Sequence, residues 1–205
     1  MSRCSALLAW IALAAACGAP PPRVPPSRAT YPGFLAHTST LAPDFFVRQQ
    51  LRGRYGEREM VFDVVVQLAS QKLTLVGLTP FGSRAFVLEQ VGTEQRFEQL
   101  VGGELPVDPA CVLNDVHRVF FRGFAGPLPD GEHRREEHGE LVSERWQGGV
   151  LMERRFTRLD GGPAGVIIVT FAGRPSPVIA SNVRLDNGWF GYTLEIESAS
   201  QAKLP

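Results

Sequence analysis

The sequence predicts a mainly β domain, built as a curved antiparallel sheet of about ten strands that wraps around a helix. Short runs of Val, Ile, Leu and aromatic residues recur from Asp44 onward, separated by glycine or charged turns, as in antiparallel sheets. Only one segment has a clear helical period. Because open twisted sheets of about ten strands tend to curl or split, we expect one concave face that wraps the helix.

The alternation of apolar and polar residues is clearest between Met60 and Leu68. One face of this strand carries Met60, Phe62, Val64, Val66 and Leu68, as the two-residue period of a strand requires. The other strands are predicted at Phe45 to Tyr55, Lys72 to Thr79, Arg84 to Val91, Gln95 to Val101, Leu141 to Trp146, Val150 to Leu159, Gly165 to Ala172, Val178 to Leu185 and Gly188 to Glu197.

The predicted helix follows Val107 and ends at Gly123. Asp108 is a favourable N-cap, and Pro109 suits the first helical position. Cys111 lies on this helix, where a lone cysteine usually behaves as a small buried apolar residue. The charged segment from Asp130 to Glu140 is predicted to be a solvated loop.

The charge balance excludes one class of partner. The chain carries 21 basic and 21 acidic side chains, so its formal net charge is zero. Without a net positive field, nothing favours binding to nucleic acid.

Residues 1–16 are predicted to be a lipoprotein signal peptide. Arg3 precedes an apolar stretch that is shorter than the roughly 20 residues of a transmembrane helix. Small residues stand directly before Cys17, a pattern that resembles the bacterial lipobox, and this resemblance implies that the cysteine is lipidated and becomes the mature N-terminus. An ordinary signal peptide cut near Ala16 is the alternative.

Residues 17–30 are predicted to be a lipid-anchored tether, and residues 31–205 a single β domain. The tether is rich in proline and poor in apolar side chains, so it cannot offset the entropy cost of ordering. Such linkers extend by about 3.1 Å per residue. Cys4 leaves with the signal and Cys17 takes lipid, which leaves Cys111 without a disulfide partner.

The sequence carries no local motif for catalysis, and we expect a protein that is not an enzyme and uses no cofactor or metal. The run from His133 to His138 matches neither zinc motif, HExxH nor HxxEH. His117 is expected to lie at the boundary of the helix surface. A hydrolase would need a polar constellation assembled from distant residues, and this remains a third alternative.

The turn Thr79-Pro80-Phe81-Gly82-Ser83 joins two predicted strands. Its phenylalanine either folds back onto the sheet or projects into solvent, and an exposed apolar tip marks contact with a membrane or partner. Pro80, Phe81 and Gly82 are therefore the predicted contact residues.

The stretch from Leu73 to Phe86, with its Leu-Thr-Pro-Phe-Gly segment, resembles a family of proteobacterial lipoproteins often linked to aryl-polyene and related fatty-acid gene clusters. More distantly, it is similar to LolB, the outer-membrane lipoprotein receptor, and the similarity runs from about Asp44 to Glu197. This resemblance implies a LolA/LolB-like incomplete β-barrel with a helix in its mouth and an apolar cavity for acyl chains. It also places Phe81 where LolB has a protruding turn leucine that is thought to touch the membrane. Gly18 after the cysteine favours the outer membrane, by analogy with enteric sorting.

From these points we expect an outer-membrane lipoprotein on the periplasmic face that binds or transfers a lipid or acylated molecule. Other lipoproteins or cell-envelope biosynthesis proteins are candidate partners. A non-catalytic scaffold with a filled core is the alternative function. The expected cavity wall comprises Phe62, Val64, Leu75, Phe86, Leu88, Val116, Phe120, Ile168 and Phe171.

Overall fold

The computed structural model describes residues 31–41, 43–102, 108–124, 126–172 and 180–204. The predicted signal peptide, Cys17 and the tether lie outside these residues. None of the helices in the described ranges is both long and apolar enough to cross a bilayer.

The described residues form eleven strands, one α-helix, a π-helical turn and a short 3₁₀ turn at Thr38–Thr40. The strands are β1 (Phe45–Tyr55), β2 (Arg58–Ala69), β3 (Lys72–Leu78), β4 (Arg84–Val91), β5 (Glu94–Gln99), β6 (Gly131–Glu137), β7 (Glu140–Gln147), β8 (Val150–Arg158), β9 (Val166–Ala172), β10 (Asn182–Asn187) and β11 (Tyr192–Lys203). Helix α1 (Pro109–Val116) continues directly into the π-helical turn (His117–Phe121).

All eleven strands belong to one sheet in the order β5-β4-β3-β2-β1-β11-β10-β9-β8-β7-β6. Each neighbouring pair is antiparallel. The predicted fold class, a mainly β curved antiparallel sheet of incomplete-barrel type, is confirmed. The number of strands is eleven in the described residues, one more than predicted.

The additional strand is β6, and it corrects the prediction of a solvated loop between Asp130 and Glu140. Its charges alternate as a strand requires, since Glu132, Arg134 and Glu136 are exposed while the residues between them are half-buried. β6 is an edge strand that pairs with β7 alone. Charged side chains on an edge strand protect it from pairing with other chains, so the charge density marks an edge rather than a loop.

Helix α1 ends earlier than predicted, because the chain widens into a π-helical turn before Gly123. The backbone N–H of Arg122 donates to the carbonyl of His117 over 2.7 Å, five residues back. This is the hydrogen-bond pattern of a π-helix. Cys111 and Leu113 of helix α1 are fully buried, which confirms the predicted burial of Cys111.

Two apolar clusters lie on the concave face, one on either side of the helix. One is centred on β7 to β11 and contains Phe156, Ile167 and Leu185. The other is centred on β1 to β4 and contains Phe45 and Leu73. The helix contributes to both clusters and therefore joins the two halves of the sheet.

The turn 79–83 lies at the same end of the sheet as the turns 56–57, 138–139 and 188–191, because neighbouring strands are antiparallel and in register. We call this end the Phe81 end. The segment that precedes β1 starts there, since the Tyr31 hydroxyl bonds to Asn187 at the end of β10. It reaches the opposite end at Thr38, whose N–H donates to the Gly92 carbonyl over 3.1 Å.

Candidate functional site

An apolar cavity lies between helix α1 and the concave face of β1 to β5 and β11. Its volume is about 270 Å³, close to the lower bound of about 300 Å³ for ligand pockets in proteins. Its wall is formed by Gln49, Leu51, Met60, Phe62, Val64, Val66, Leu75, Leu78, Ala85, Phe86, Leu88, Phe97, Pro109, Val112, Asp115, Val116, Val119, Phe120, Tyr192, Leu194 and Ile196.

Side-chain burial along the strands shows where the cavity opens. On β2, Val66 and Val64 are buried, whereas Phe62 and Met60 are half-buried toward the Phe81 end. On β3 and β4 as well, Leu75 and Leu88 are buried, whereas Leu78 and Phe86, which lie nearer the turn 79–83, are half-buried. The mouth of the cavity therefore lies at the Phe81 end, and its floor lies near the middle of the sheet.

Seven of the nine predicted wall residues line this cavity, namely Phe62, Val64, Leu75, Phe86, Leu88, Val116 and Phe120. Phe171 instead belongs to the other apolar cluster, and Ile168 alternates with the buried Ile167 and Val169, so it faces the outer surface. The sequence pattern did not show which side chains of β9 face the concave side of the sheet, because β9 is apolar on both faces. That the seven residues bind a ligand remains a prediction.

The wall is interrupted by one carboxylate, Asp115 of helix α1, which is only 4% exposed. The hydroxyls of Tyr31 and Tyr192 both donate hydrogen bonds to it. Burial raises the pKa of Asp115, although the nearby Arg118 and the two hydroxyls act in the opposite direction. Burial also raises the pKa of both tyrosines well above the ordinary value, so they remain hydrogen-bond donors.

A set of buried ion pairs anchors the helix to β7 and β8. Arg118 lies 2.8 Å from Glu140, and Arg122 lies 2.9 Å from the other oxygen of the same carboxylate. Arg154 pairs with Glu144 over 2.6 Å. These charges sit on the apolar side of the sheet, where each is compensated by a partner.

Arg154 also closes the carboxyl end of the helix. Its Nη1 donates to the carbonyls of Arg118 and Val119 over 2.7 and 3.1 Å. Carbonyls at a helix end lack partners within the helix, so the guanidinium satisfies them while its Nε binds Glu144. Sequence reasoning missed this network. The sequence does contain one signal for it. Glu140 and Glu144 are spaced two residues from the apolar Val142 on β7, so all three side chains point to the same buried face.

Phe81 projects into solvent, with 95% of its surface exposed, so the folded-back alternative is wrong. The turn is closed by the Gly82 N–H, which donates to the Thr79 carbonyl over 2.9 Å. Gly82 has φ of +80°, a conformation that glycine adopts without strain. The turn therefore holds the phenylalanine outward, three residues along the chain from Leu78 in the wall of the cavity.

The four histidines form no common site. His117, expected at the helix boundary, is instead fully buried and its Nε2 donates to Gln90 Oε1 over 2.7 Å. Burial and the charge of Arg122 lower its pKa from 6.5 to about 4. His133 lies on β6, and in the described ranges no three His, Cys, Asp or Glu side chains are grouped to hold a metal ion.

The fold and the cavity together define a class: an open, curved antiparallel sheet that encloses an apolar cavity against one helix. Within this class, the chain belongs to the family described as "Protein of unknown function (DUF3261)", whose model matches residues 47–200. The chain has no match among curated proteins.

Two solved structures have a similar chain fold. One is a domain from Vibrio parahaemolyticus, provisionally named for outer membrane lipoprotein sorting, with a TM-score of 0.43 and 9% identity over 78% of this chain and 85% of that chain. The other is a DUF1329 family protein from Desulfovibrio piger, with a TM-score of 0.38 and 9% identity over 81% of this chain and 87% of that chain.

Proposed function

We propose that this protein is a periplasmic lipoprotein, anchored to the outer membrane, that binds or transfers a lipid or acylated molecule in its apolar cavity. The observation that carries the proposal is the cavity itself, whose wall is apolar except at a few positions such as Gln49 and Asp115. A void of this kind disfavours water, which needs two to four polar partners, and favours an apolar guest.

The driving force for binding is the burial of apolar surface, at about 25 cal/mol per Å² before the cost of ordering the ligand. Half-buried apolar side chains at the mouth, including Met60, Phe62 and Phe86, gain further burial when a chain enters. The alternative of a scaffold with a filled core is less favoured, because the concave face retains about 270 Å³ of unfilled space.

The anchoring part of the proposal is lipidation of Cys17, followed by the tether of residues 17–30. The described chain starts at Tyr31, at the Phe81 end. The tether therefore joins the domain at the end where the mouth opens and where Phe81 projects. This arrangement favours an orientation in which the mouth faces the membrane, with Pro80, Phe81 and Gly82 as the membrane contact.

A pair of substitutions on β2 tests the cavity. Val64 lines it, whereas Val65 is the next residue and faces the outer surface. Val64→Phe is expected to fill the cavity and abolish binding of a fluorescent apolar probe such as N-phenyl-1-naphthylamine, while Val65→Phe leaves it unchanged. Native mass spectrometry of the protein isolated from membranes is expected to show a bound lipid. Absence of both lipid and probe binding would contradict the proposal.

Phe81→Glu tests the membrane contact. We expect it to reduce association of the unlipidated Cys17→Ser protein with phospholipid vesicles, because a charge cannot enter the apolar layer. The control is Val91→Glu, since Val91 is an exposed apolar side chain, 58% accessible, at the opposite end of β4. Equal vesicle association for the two variants would remove the turn from the proposal.

A further inference from the structure

One carboxylate in an otherwise apolar wall is unexpected, because burying an acidic group is costly unless it serves as a hydrogen-bond partner. Asp115 lies on the same helix as the wall residues Val112 and Val116 and takes part in the wall itself. The apolar cavity wall therefore contains one acidic group, and this group restricts which lipids bind.

The carboxylate is held in place by two tyrosine hydroxyls. Tyr31 and Tyr192 donate to its two oxygens, one to each. Tyr31 is in turn fixed by Asn187, whose Nδ2 donates to its hydroxyl over 2.8 Å, and by stacking of its ring on Phe190 at 5.2 Å. Asp115 is thus a positioned acceptor rather than a mobile side chain.

The oxygens of Asp115 retain capacity for another donor. A carboxylate offers about four lone-pair sites; the two tyrosines occupy one on each oxygen, and Arg118 Nη1 faces a third as an ion-pair partner. The nearest cation, Arg118, is 3.5 Å away and binds Glu140 at 2.8 Å and the Pro32 carbonyl at 2.6 Å. Arg118 is not among the residues that line the cavity, so its charge is not offered to a ligand there.

From this geometry we propose that the cavity selects long-chain ligands with an uncharged hydrogen-bond donor, such as a hydroxyl or an amide N–H, which donates to Asp115. This inference rests on the proposed lipid-binding function. A ligand with an anionic group at the same point meets a like charge in an apolar surrounding, and a ligand with no donor leaves the remaining lone-pair site unpaired.

Three ligands of equal chain length separate these cases: dodecanol, which is an uncharged donor; dodecanoate, which is an anion; and methyl dodecanoate, which is uncharged and has no donor. Each competes with N-phenyl-1-naphthylamine at neutral pH, below the concentration at which it aggregates. We expect dodecanol to displace the probe at a concentration about tenfold lower than either of the others, the effect of one hydrogen bond to a charged group.

Asp115→Asn removes the charge, so the preference for dodecanol over dodecanoate is expected to fall by about tenfold. Asp186→Asn, on an exposed side chain of β10, is the control that retains the preference. Should Asp115→Asn not fold, the ranking of the three ligands on the unaltered protein decides the question.

The outcomes distinguish the two proposals. If the probe binds and the three ligands displace it equally, or dodecanoate displaces it best, the polar position has no role in selection while lipid binding stands. If neither the probe nor any ligand binds, the proposed function fails, and this inference fails with it.

Discussion

The ring of Phe86 lies directly over the backbone of Gly77 on the neighbouring strand, in the space that a Cβ at Gly77 would occupy. The two residues are register partners in β3 and β4, and Phe86 forms part of the cavity wall near the mouth. Gly77 therefore sets the depth of the cavity, because it allows the ring to lie flat against the sheet.

Gly77→Ala is expected to push the Phe86 ring into the cavity and to weaken probe binding. The forced shift of the ring should lower the free energy of unfolding by about 1–3 kcal/mol, as overpacking does. Urea unfolding and probe titration measure the two effects.

Gly53→Ala is the matched control, since Gly53 also lies within a strand. An added Cβ there meets flexible side-chain ends at 3.2 Å from Leu194 and 3.5 Å from Met60. Combining Gly77→Ala with Phe86→Ala should relieve the clash, so that the two changes are not additive. Additive effects would mean that the ring and the glycine do not interact as described.

The strands were predictable from sequence wherever apolar residues alternate. The bounds Phe45–Tyr55 and Arg84–Val91 were predicted to the residue, because each segment is flanked by turn or polar residues. β6 was missed because both of its faces are polar, so hydrophobic periodicity carries no signal there. β6 forms a strand because its backbone pairs with that of β7.

The cavity wall was predictable in part, and the buried charges were not. The apolar wall residues belong to strands with clear alternation, whereas Asp115, Arg118 and Arg154 are residue types that usually face solvent. Their burial depends on partners from distant segments. Arg154, for example, binds the carbonyl of Arg118, which lies 36 residues away along the chain. Such pairings follow from the order of strands in the sheet, which local sequence does not encode.

Arg154→Met should destabilise the protein by about 3–5 kcal/mol, because it leaves the buried Glu144 carboxylate without its cation. The matched control is Arg48→Met, which breaks an ion pair of the same length, 2.6 Å, with Asp63 on an exposed surface. Exposed pairs contribute about 0–1 kcal/mol. The measurement is the free energy of unfolding in urea for each variant.

Replacing both members of the buried pair, as Arg154→Met with Glu144→Leu, should recover much of the lost stability, since no unpaired charge then remains. A single Arg154→Met variant as stable as Arg48→Met would show that the pair does not anchor the helix.

Stability should depend on pH through His117. Its pKa in the fold is about 4, against 6.5 in the unfolded chain, owing to burial and to the charge of Arg122. Between these values the unfolded state binds more protons, so stability is fully present above pH 6.5 and falls as the pH drops toward 4. The loss attributable to this residue is about 3 kcal/mol over that window.

His117→Gln removes the titrating group, so its free energy of unfolding should fall less steeply with acidification than that of the unaltered protein. The difference between the two curves isolates His117 from the carboxylates that also titrate in acid. Parallel curves for the two proteins would show that His117 binds its proton equally well in both states.

Cys111 should be unreactive in the folded protein and reactive in the unfolded one. It is a fully buried residue of helix α1, and burial raises its pKa from 9.0 to about 12. The thiolate is the reactive species, so both its low population and its enclosure slow the reaction.

In a Cys4→Ser, Cys17→Ser chain, labelling by a disulfide reagent at neutral pH should be slow in buffer and complete within the mixing time in strong urea. Because labelling then requires the helix to lift from the sheet, Arg154→Met should accelerate it and Arg48→Met should not. Fast labelling of the native protein would mean that the helix opens readily, and the cavity beneath it would then admit ligands from the side as well as through the Phe81 end.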